Sequence, residues 1–272
     1  MEKRKAFFIS DQTGITAENL GHALLSQFDN ILFEQTTLPF IDNEEKARQA
    51  LEYINRLSEQ DGHRVIIFST LVNAQVRAII RTANAFMLDL FDTFISPLEV
   101  ELGVKSSGAI GKLHGIDDTG RYHQRIEAIN FALASDDGVA TERYAQADII
   151  LVGVSRSGKT PTCLYLAMQF GVLAANYPLM EEELEARQLP EVLRPWKKKL
   201  FGLIIHPQRL SQIRAERFPN SRYASLAQCQ KEIRLVESIF ISQNIPYIDS
   251  TAKSVEEIAA TIMHKAALQR KV

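Results

Sequence analysis

One stretch of the chain constrains its fold and function more than any other. It reads G-V-S-R-S-G-K-T and fits the phosphate-loop pattern G-x-x-x-x-G-K-[ST] at every fixed position. The apolar run from Asp148 to Val152 precedes it and predicts a buried strand. Helical spacing from Thr162 to Phe170 follows it and stops at Gly171. Strand, loop and helix therefore stand in the order that a phosphate loop requires.

The residue types in this loop predict how it binds phosphate. Gly153 and Gly158 can adopt backbone angles closed to other residues, so that successive amides turn inward at the positive end of the helix. Lys159 can reach the outer phosphates, the Thr160 hydroxyl can ligate Mg²⁺, and Arg156 adds a second cation over the transferred group. The alternative is a Gly-Ser turn with an exposed lysine. We expect the nucleotide to bind along the whole loop, at Gly153, Val154, Ser155, Arg156, Ser157, Gly158, Lys159 and Thr160.

Length and composition narrow the class of protein. At 272 residues, the chain can form one large domain or two small ones. Its net charge of −2 gives no electrostatic footprint for nucleic acid or a membrane, and no apolar run approaches the roughly 20 residues that span a bilayer. The start of the chain lacks a signal peptide's long apolar core. Cys163 and Cys229 fit neither a metal spacing nor a disulfide framework, so we expect small apolar residues in helices and a reducing cytoplasm.

Strand and helix patterns alternate along the chain and predict an α/β fold with parallel sheets. The first hundred residues predict strands at Phe7–Ile9, Ile31–Ile41 and Arg64–Phe68, each followed by a helix, the last of which runs from Val72 to Phe86. A Gly-rich stretch without periodicity comes next. We predict an N-terminal α/β lobe over 1–102, a Gly-rich linker and connecting helix over 103–144, and a phosphate-loop, kinase-like lobe over 145–272.

The second lobe continues the same alternation. Further strands are predicted at Val172–Leu179, Phe201–Ile205 and Ile245–Ile248, and further helices at Leu226–Gln243 and Val255–Ala267. Ser254 and Glu257 have the spacing of a capping box for the last helix. The segment from Glu181 to Lys199 is charged and punctuated by prolines, which is typical of a surface excursion such as the lid of a nucleotide kinase.

Two acidic pairs precede the phosphate loop. Phosphoryl transfer needs a carboxylate for the metal and often one to accept the proton of the attacking hydroxyl. The pair Asp117-Asp118 fits a plain turn better. The pair Asp136-Asp137, followed by Gly138, fits a turn and a site equally well, and Asp137 is the candidate catalytic carboxylate. Asp249 follows a strand weakened by Pro246, so the magnesium carboxylate stays unassigned.

Basic residues and a second turn offer weaker candidates. His206 follows a strand and could act as an acid or base, although a lone histidine there is more often structural. Arg209, Arg214 and Arg217 could clamp phosphates from one helix face, and a solvated face explains them equally well. The turn from Ser10 to Thr16 could offer hydroxyls and amides to an anion, or it could simply cap a helix.

Motifs spread from end to end of the chain together carry a family resemblance. They are Ser10-Asp11-x-Thr13-x-x-Thr16-Ala17-Glu18, Arg125-Ile126-x-Ala128-Ile129 leading to Asp136-Asp137-Gly138, Gly153 to Thr162, Ala174-Ala175-Asn176-Tyr177-Pro178, and Asn220-Ser221-Arg222-Tyr223-Ala224-Ser225-Leu226. This combination resembles the bifunctional regulatory proteins of phosphoenolpyruvate synthase. The related regulators of pyruvate, phosphate dikinase share a looser version of it. One departure is Gln12, where the family usually has Gly.

The resemblance implies unusual chemistry. Such proteins use ADP to phosphorylate a threonine of the target enzyme, which inactivates it, and remove that phosphate with inorganic phosphate, which releases pyrophosphate. The implied partners are phosphoenolpyruvate synthase, ADP and inorganic phosphate. The residues are compatible with this chemistry: Thr160 would hold Mg²⁺, and Lys159, Arg156 and Asp137 are the expected catalytic residues. The alternatives are a dikinase regulator, a small-molecule kinase and a nucleotide-gated regulator without catalysis. An isologous homodimer is the default expectation for a soluble oligomer.

Overall fold

A computed structural model of the chain describes residues 2–109 and 119–272. The chain divides into two compact units, residues 1–115 and 116–272, and each contains a four-stranded parallel sheet with helices. This confirms the predicted α/β fold class. The predicted turn at Asp117-Asp118 and the central part of the Gly-rich stretch lie outside the described residues. Over the two described ranges, every helix is too short or too polar to cross a bilayer.

The first unit is a parallel sheet with an apolar cluster on each face. Its strands are β1 (Glu2–Ile9), β2 (Ile31–Leu38), β3 (Val65–Ser69) and β4 (Ala85–Asp89), in the order β2-β1-β3-β4. Its helices are α1 (Ile15–Leu25), α2 (Glu44–Asp61), α3 (Ala74–Ile80) and α4 (Leu90–Leu102). Phe7 and Ile9 belong to one buried cluster, and Ala6 and Phe8 belong to the other. Because both faces of the sheet are covered at its centre, β3 and the C-terminal half of β1 are continuous apolar runs.

The prediction of one helix from Val72 to Phe86 is wrong at its C-terminal end. Helix α3 begins after Asn73, whose side chain accepts hydrogen bonds from the amides of Gln75 and Val76, and it ends at Ile80. Phe86 lies instead in β4, paired in register with Ile66 of β3. Short apolar runs satisfy helix and strand periodicity alike, and here the neighbouring strand decides between them.

The second unit repeats this architecture around the phosphate-loop strand. Its strands are β5 (Ile149–Gly153), β6 (Ala174–Pro178), β7 (Leu200–Ile204) and β8 (Tyr247–Asp249), in the order β6-β5-β7-β8. Its helices are α5 (Thr119–Ala134), α6 (Lys159–Phe170), α7 (Glu181–Glu185), α8 (Pro207–Arg217), α9 (Leu226–Ser242) and α10 (Val255–Lys265). Alternate residues of β5 enter opposite buried clusters, so this central strand is covered on both faces. The predicted capping box of α10 at Ser254 and Glu257 is confirmed.

Two segments pack more closely onto this unit than their sequence patterns suggest. Helix α5, predicted as a connecting helix, buries Ala128 and Ala132 in the cluster that contains Leu166 of α6. The segment from Glu181 to Lys199, predicted as a surface excursion, buries its apolar side chains in the cluster on the other face, at Leu184, Leu189 and Leu193. Charged residues separate these leucines in the sequence, so the composition of the segment does not indicate that all three lie in one buried cluster.

Candidate functional site

The phosphate-loop sequence forms a tight turn between the central strand β5 and helix α6. Gly158 has φ 93° and Arg156 has φ 72°, both in the left-handed region, and a Cβ at Gly153 would collide with the carbonyl oxygen of Leu203. Five backbone amides of the loop and first helical turn donate no hydrogen bond within the described part of the chain. They are the amides of Ser155, Arg156, Gly158, Lys159 and Thr160. Unpaired amides at a helix N-terminus can bind an anion.

Contacts to the loop carbonyls set the direction of these amides. Lys159 Nζ donates to the carbonyl oxygen of Val154 at 2.9 Å, and Ser250 Oγ donates to that of Ser157 at 3.1 Å. In a planar trans peptide, the carbonyl and the following amide point in opposite directions. The Val154 and Ser157 carbonyls point toward these two buried side chains, so the amides of Ser155 and Gly158 point away from them.

Lys159 is buried at the first position of α6, with only 4% of its surface exposed. Burial lowers its pKa to about 8, and the nearby Asp137 carboxylate partly opposes that shift. A buried ammonium and five unpaired amides in one short segment give this loop a positive potential that favours an anion. This arrangement excludes the alternative of a turn with an exposed lysine.

The Thr160 side chain contacts the carboxylate of Asp136, to which the sequence analysis gave no role in metal binding. Thr160 Oγ1 donates to Asp136 Oδ1 at 2.8 Å, and Asn176 Nδ2 donates to the same oxygen. Hydroxyl and carboxylate oxygens are ligands that Mg²⁺ prefers, usually together with waters and substrate phosphates. Thr160 and Asp136 therefore form a pair of oxygen ligands that fits Mg²⁺. The described residues contain no cluster of three or more His, Cys, Asp or Glu side chains that could hold a metal, so further ligands would come from water and substrate.

Asp137, the predicted catalytic carboxylate, lies beside this pair. Its side chain is exposed, its φ is 50°, and its amide donates to Asn176 Oδ1 at 3.0 Å. Asn176 thus holds both acidic residues, one through each end of its amide group. Sequence reasoning assigned Asn176 no role; the available signal was a polar residue within the otherwise apolar strand β6, next to Leu151 of the loop strand.

The arginines of helix α8 separate into two environments. Arg214 is 1% exposed and pairs with Glu232 at 2.6 Å, so it faces the interior rather than an open phosphate clamp. Arg209 and Arg217 are exposed. A cavity of about 320 Å³ beside the loop is lined by Arg156, Ile213, Glu216 and Arg217. Two arginines against one glutamate make this cavity favour anionic groups.

The remaining candidates do not join this constellation. The exposed His206 contacts Thr251 through its backbone amide, and the Asp249 carboxylate accepts from the amide and hydroxyl of Thr251. Cys163 and Cys229 are free and buried in α6 and α9, as predicted, and burial raises the pKa of both thiols. A thiol held neutral by burial is a poor nucleophile.

The second unit is an α/β unit of the phosphate-loop class, in which a glycine-containing turn connects a central parallel strand to a helix. The turn has unpaired amides and a buried lysine, and a carboxylate lies next to it. The chain belongs to the kinase/pyrophosphorylase family, whose model matches residues 6–263. This family assignment confirms the resemblance read from the motifs.

Curated relatives match the chain over nearly its full length. One from Pseudomonas fluorescens (strain Pf-5), named "Putative phosphoenolpyruvate synthase regulatory protein", is 58% identical over 269 residues, which is 99% of each chain. Proteins of the same name from Marinobacter nauticus and Pseudomonas aeruginosa (strain PAO1) are 56% and 58% identical. These matches cover 98% and 99% of this chain, and 99% and 98% of the relatives.

Proposed function

We propose that this chain is an ADP-dependent serine/threonine protein kinase and phosphate-dependent pyrophosphorylase that regulates phosphoenolpyruvate synthase in the cytoplasm. The observation that carries the proposal is the contact between Thr160 and Asp136 at the mouth of a loop with unpaired amides and a buried lysine, in a chain of the kinase/pyrophosphorylase family. The names of the 56–58% identical relatives support the choice of target.

In the inactivating direction, the five unpaired amides of the loop and first helical turn would hold the diphosphate of ADP. The target threonine oxygen forms a bond to the β-phosphorus, the bond from that phosphorus to the bridging oxygen breaks, and AMP leaves. Asp137, exposed and held by Asn176, would accept the hydroxyl proton. Lys159 and Arg156 would neutralise the charge on the transferred group, and Thr160 with Asp136 would hold Mg²⁺, which supplies further charge neutralisation when bound.

In the activating direction, an oxygen of inorganic phosphate forms a bond to the phosphorus of the phosphothreonine. The bond to the threonine oxygen breaks, pyrophosphate leaves, and the threonine oxygen takes up a proton, which Asp137 would supply. We assign both directions to the same loop because residues 153–160 contain the one full phosphate-loop pattern of the sequence. The basic cavity beside Arg156 would receive anionic groups in either direction.

The test is to mix the purified protein with ADP, Mg²⁺ and phosphoenolpyruvate synthase, and in parallel with pyruvate, phosphate dikinase. Threonine phosphate on the synthase and AMP in equal amount are expected, with loss of synthase activity. Adding inorganic phosphate after ADP removal should release pyrophosphate and restore that activity. Transfer to the dikinase alone, turnover of a metabolite, or nucleotide binding without transfer would each overturn the assignment.

A further inference from the structure

Arg214 of helix α8 contacts the phosphate loop from inside the protein. Its Nη2 donates to the carbonyl oxygen of Ser155 at 3.1 Å and to the Glu232 carboxylate at 2.6 Å. Its Nη1 donates to the carbonyl oxygen of Tyr223 at 3.0 Å. A buried guanidinium needs a paired carboxylate and further acceptors; both Nη groups of Arg214 have them, whereas its Nε has no partner among the described residues. The side chain is therefore held in one geometry against the loop.

Tyr223 contacts the same loop residue and also contacts Arg214. Its hydroxyl donates to Ser155 Oγ at 3.0 Å, and its ring lies under the guanidinium, 4.0 Å from the Arg214 carbon Cζ to the ring centroid. The carbonyl and the hydroxyl of Ser155 are thus held by two side chains that support each other. Glu232 is fixed in turn by Gln228, whose Nε2 donates to it at 3.0 Å.

Fixing the Ser155 carbonyl has a direct consequence for the amide of Arg156. The peptide bond between them is planar, so a carbonyl turned toward Arg214 turns the Arg156 amide the opposite way. That amide has no acceptor in the described part of the chain, and Arg156 holds φ 72°, a left-handed angle that non-glycine residues avoid. Such a conformation persists only where its surroundings impose it.

The geometry points to Arg214, with Glu232 and Tyr223, as a positioning residue that imposes the anion-binding form of the phosphate loop. In this role Arg214 would affect a bound phosphate only through the peptide bond between Ser155 and Arg156. This inference rests on the proposed function for its ligand, ADP, whereas the loop conformation can be measured without any ligand.

The test compares Arg214→Met and Tyr223→Phe with the control Lys231→Met. Lys231 lies on the exposed side of α9, where it pairs with Glu185 at 2.5 Å and more distantly with Glu181 at 3.7 Å. It contacts neither Arg214 nor the phosphate loop. Three quantities are measured for each folded variant: amide hydrogen exchange of Ser157 without ligand, the Kd for ADP, and the Tm. The Ser157 amide is chosen because it donates to the Val154 carbonyl within the loop. Exchange and Kd are recorded well below the lowest Tm.

Arg214→Met should speed exchange at the Ser157 amide and raise the Kd for ADP, each by about tenfold or more. Tyr223→Phe should change both in the same direction by a smaller factor, and Lys231→Met should change neither. If Arg214→Met does not fold, Tyr223→Phe and Glu232→Gln decide the question by the same two measurements. Wild-type exchange and wild-type Kd in these folded variants, with only the Tm lowered, would overturn the positioning role.

The two proposals can fail separately. A wild-type protein that does not bind ADP contradicts the proposed function, while ligand-free exchange in the Arg214→Met variant still tests the positioning of the loop. A wild-type protein that binds ADP, together with a folded Arg214→Met variant that binds it equally well, contradicts only the role of Arg214.

Discussion

The hydroxyl of Thr160 donates a 2.8 Å hydrogen bond to Oδ1 of Asp136, a residue 24 positions earlier in the chain. Asp136 lies in the short 3₁₀ turn after α5, and Thr160 lies in the first turn of α6. Asn176 of the neighbouring strand β6 donates to the same carboxylate oxygen. Asp136 is therefore the carboxylate of the proposed Mg²⁺ site. The sequence analysis found no such carboxylate at the end of a strand.

Replacing Asp136 with Asn should weaken the use of Mg²⁺. The substitution keeps the size of the side chain and removes its charge, so the Mg²⁺ concentration for half-maximal transfer should rise by about ten- to a hundredfold. The measurement is threonine phosphorylation against Mg²⁺ concentration at saturating ADP. An unchanged Mg²⁺ requirement in the folded variant would remove Asp136 from the proposed metal site.

Replacing Asp137 with Asn should separate binding from chemistry. A general base contributes about 10² to 10⁴ in rate, so kcat for transfer to threonine should fall within that range while the Kd for ADP stays near its wild-type value. The matched comparison is Asp136→Asn, whose defect should be relieved in part by high Mg²⁺. If Asp137→Asn retains wild-type kcat, another group accepts the threonine proton.

Replacing Lys159 with Ala should abolish both reactions. The same ammonium is proposed to neutralise the diphosphate of ADP and the phosphate that attacks phosphothreonine. ADP-dependent transfer and phosphate-dependent release of pyrophosphate are measured on the same preparation, with circular dichroism as the control for folding. Pyrophosphate release that survives in a variant without transfer would reject a shared loop.

The affinity for ADP should fall as the pH rises above about 8. Burial lowers the pKa of Lys159 to about 8 in the free protein, so above that pH the lysine is neutral and must take up a proton to meet the phosphates. The Kd should then rise by about tenfold per pH unit, whereas an ordinary lysine would show this only above about pH 10. Lys159→Met is the control and should lack this dependence between pH 8 and 10.

Replacing Asn176 with Ala should destabilise the second unit and also impair activity. Asn176 is 1% exposed, accepts from the Asp137 amide and donates to Asp136, and the alanine variant leaves both partners without these bonds. A cost of about 1–3 kcal/mol in the free energy of unfolding is expected, measured by urea denaturation. Asn130, exposed on α5, is the control, and Asn130→Ala should stay within about 0.5 kcal/mol of wild type. Equal stability of the two variants would contradict this role.

Several elements could be read from local sequence because their causes are local. The strand before the phosphate loop, the glycines within it and the helix after it follow from apolar pattern and backbone freedom over adjacent residues. The Ser254–Glu257 capping box likewise involves residues within one helical turn. Strand β4 was missed because a five-residue apolar run has no periodicity that separates it from the end of a helix.

The sequence by itself determined the α/β class, the phosphate-loop pattern and the family, since each depends on residue types at fixed spacings. Only the tertiary structure decided that Asp136 faces Thr160, that Asn176 holds both acidic residues, and that Arg214 turns inward to Ser155. These contacts join residues 24, 39 and 59 positions apart. Such pairs meet because strand order and helix packing bring them together, and no local pattern of residues encodes that arrangement.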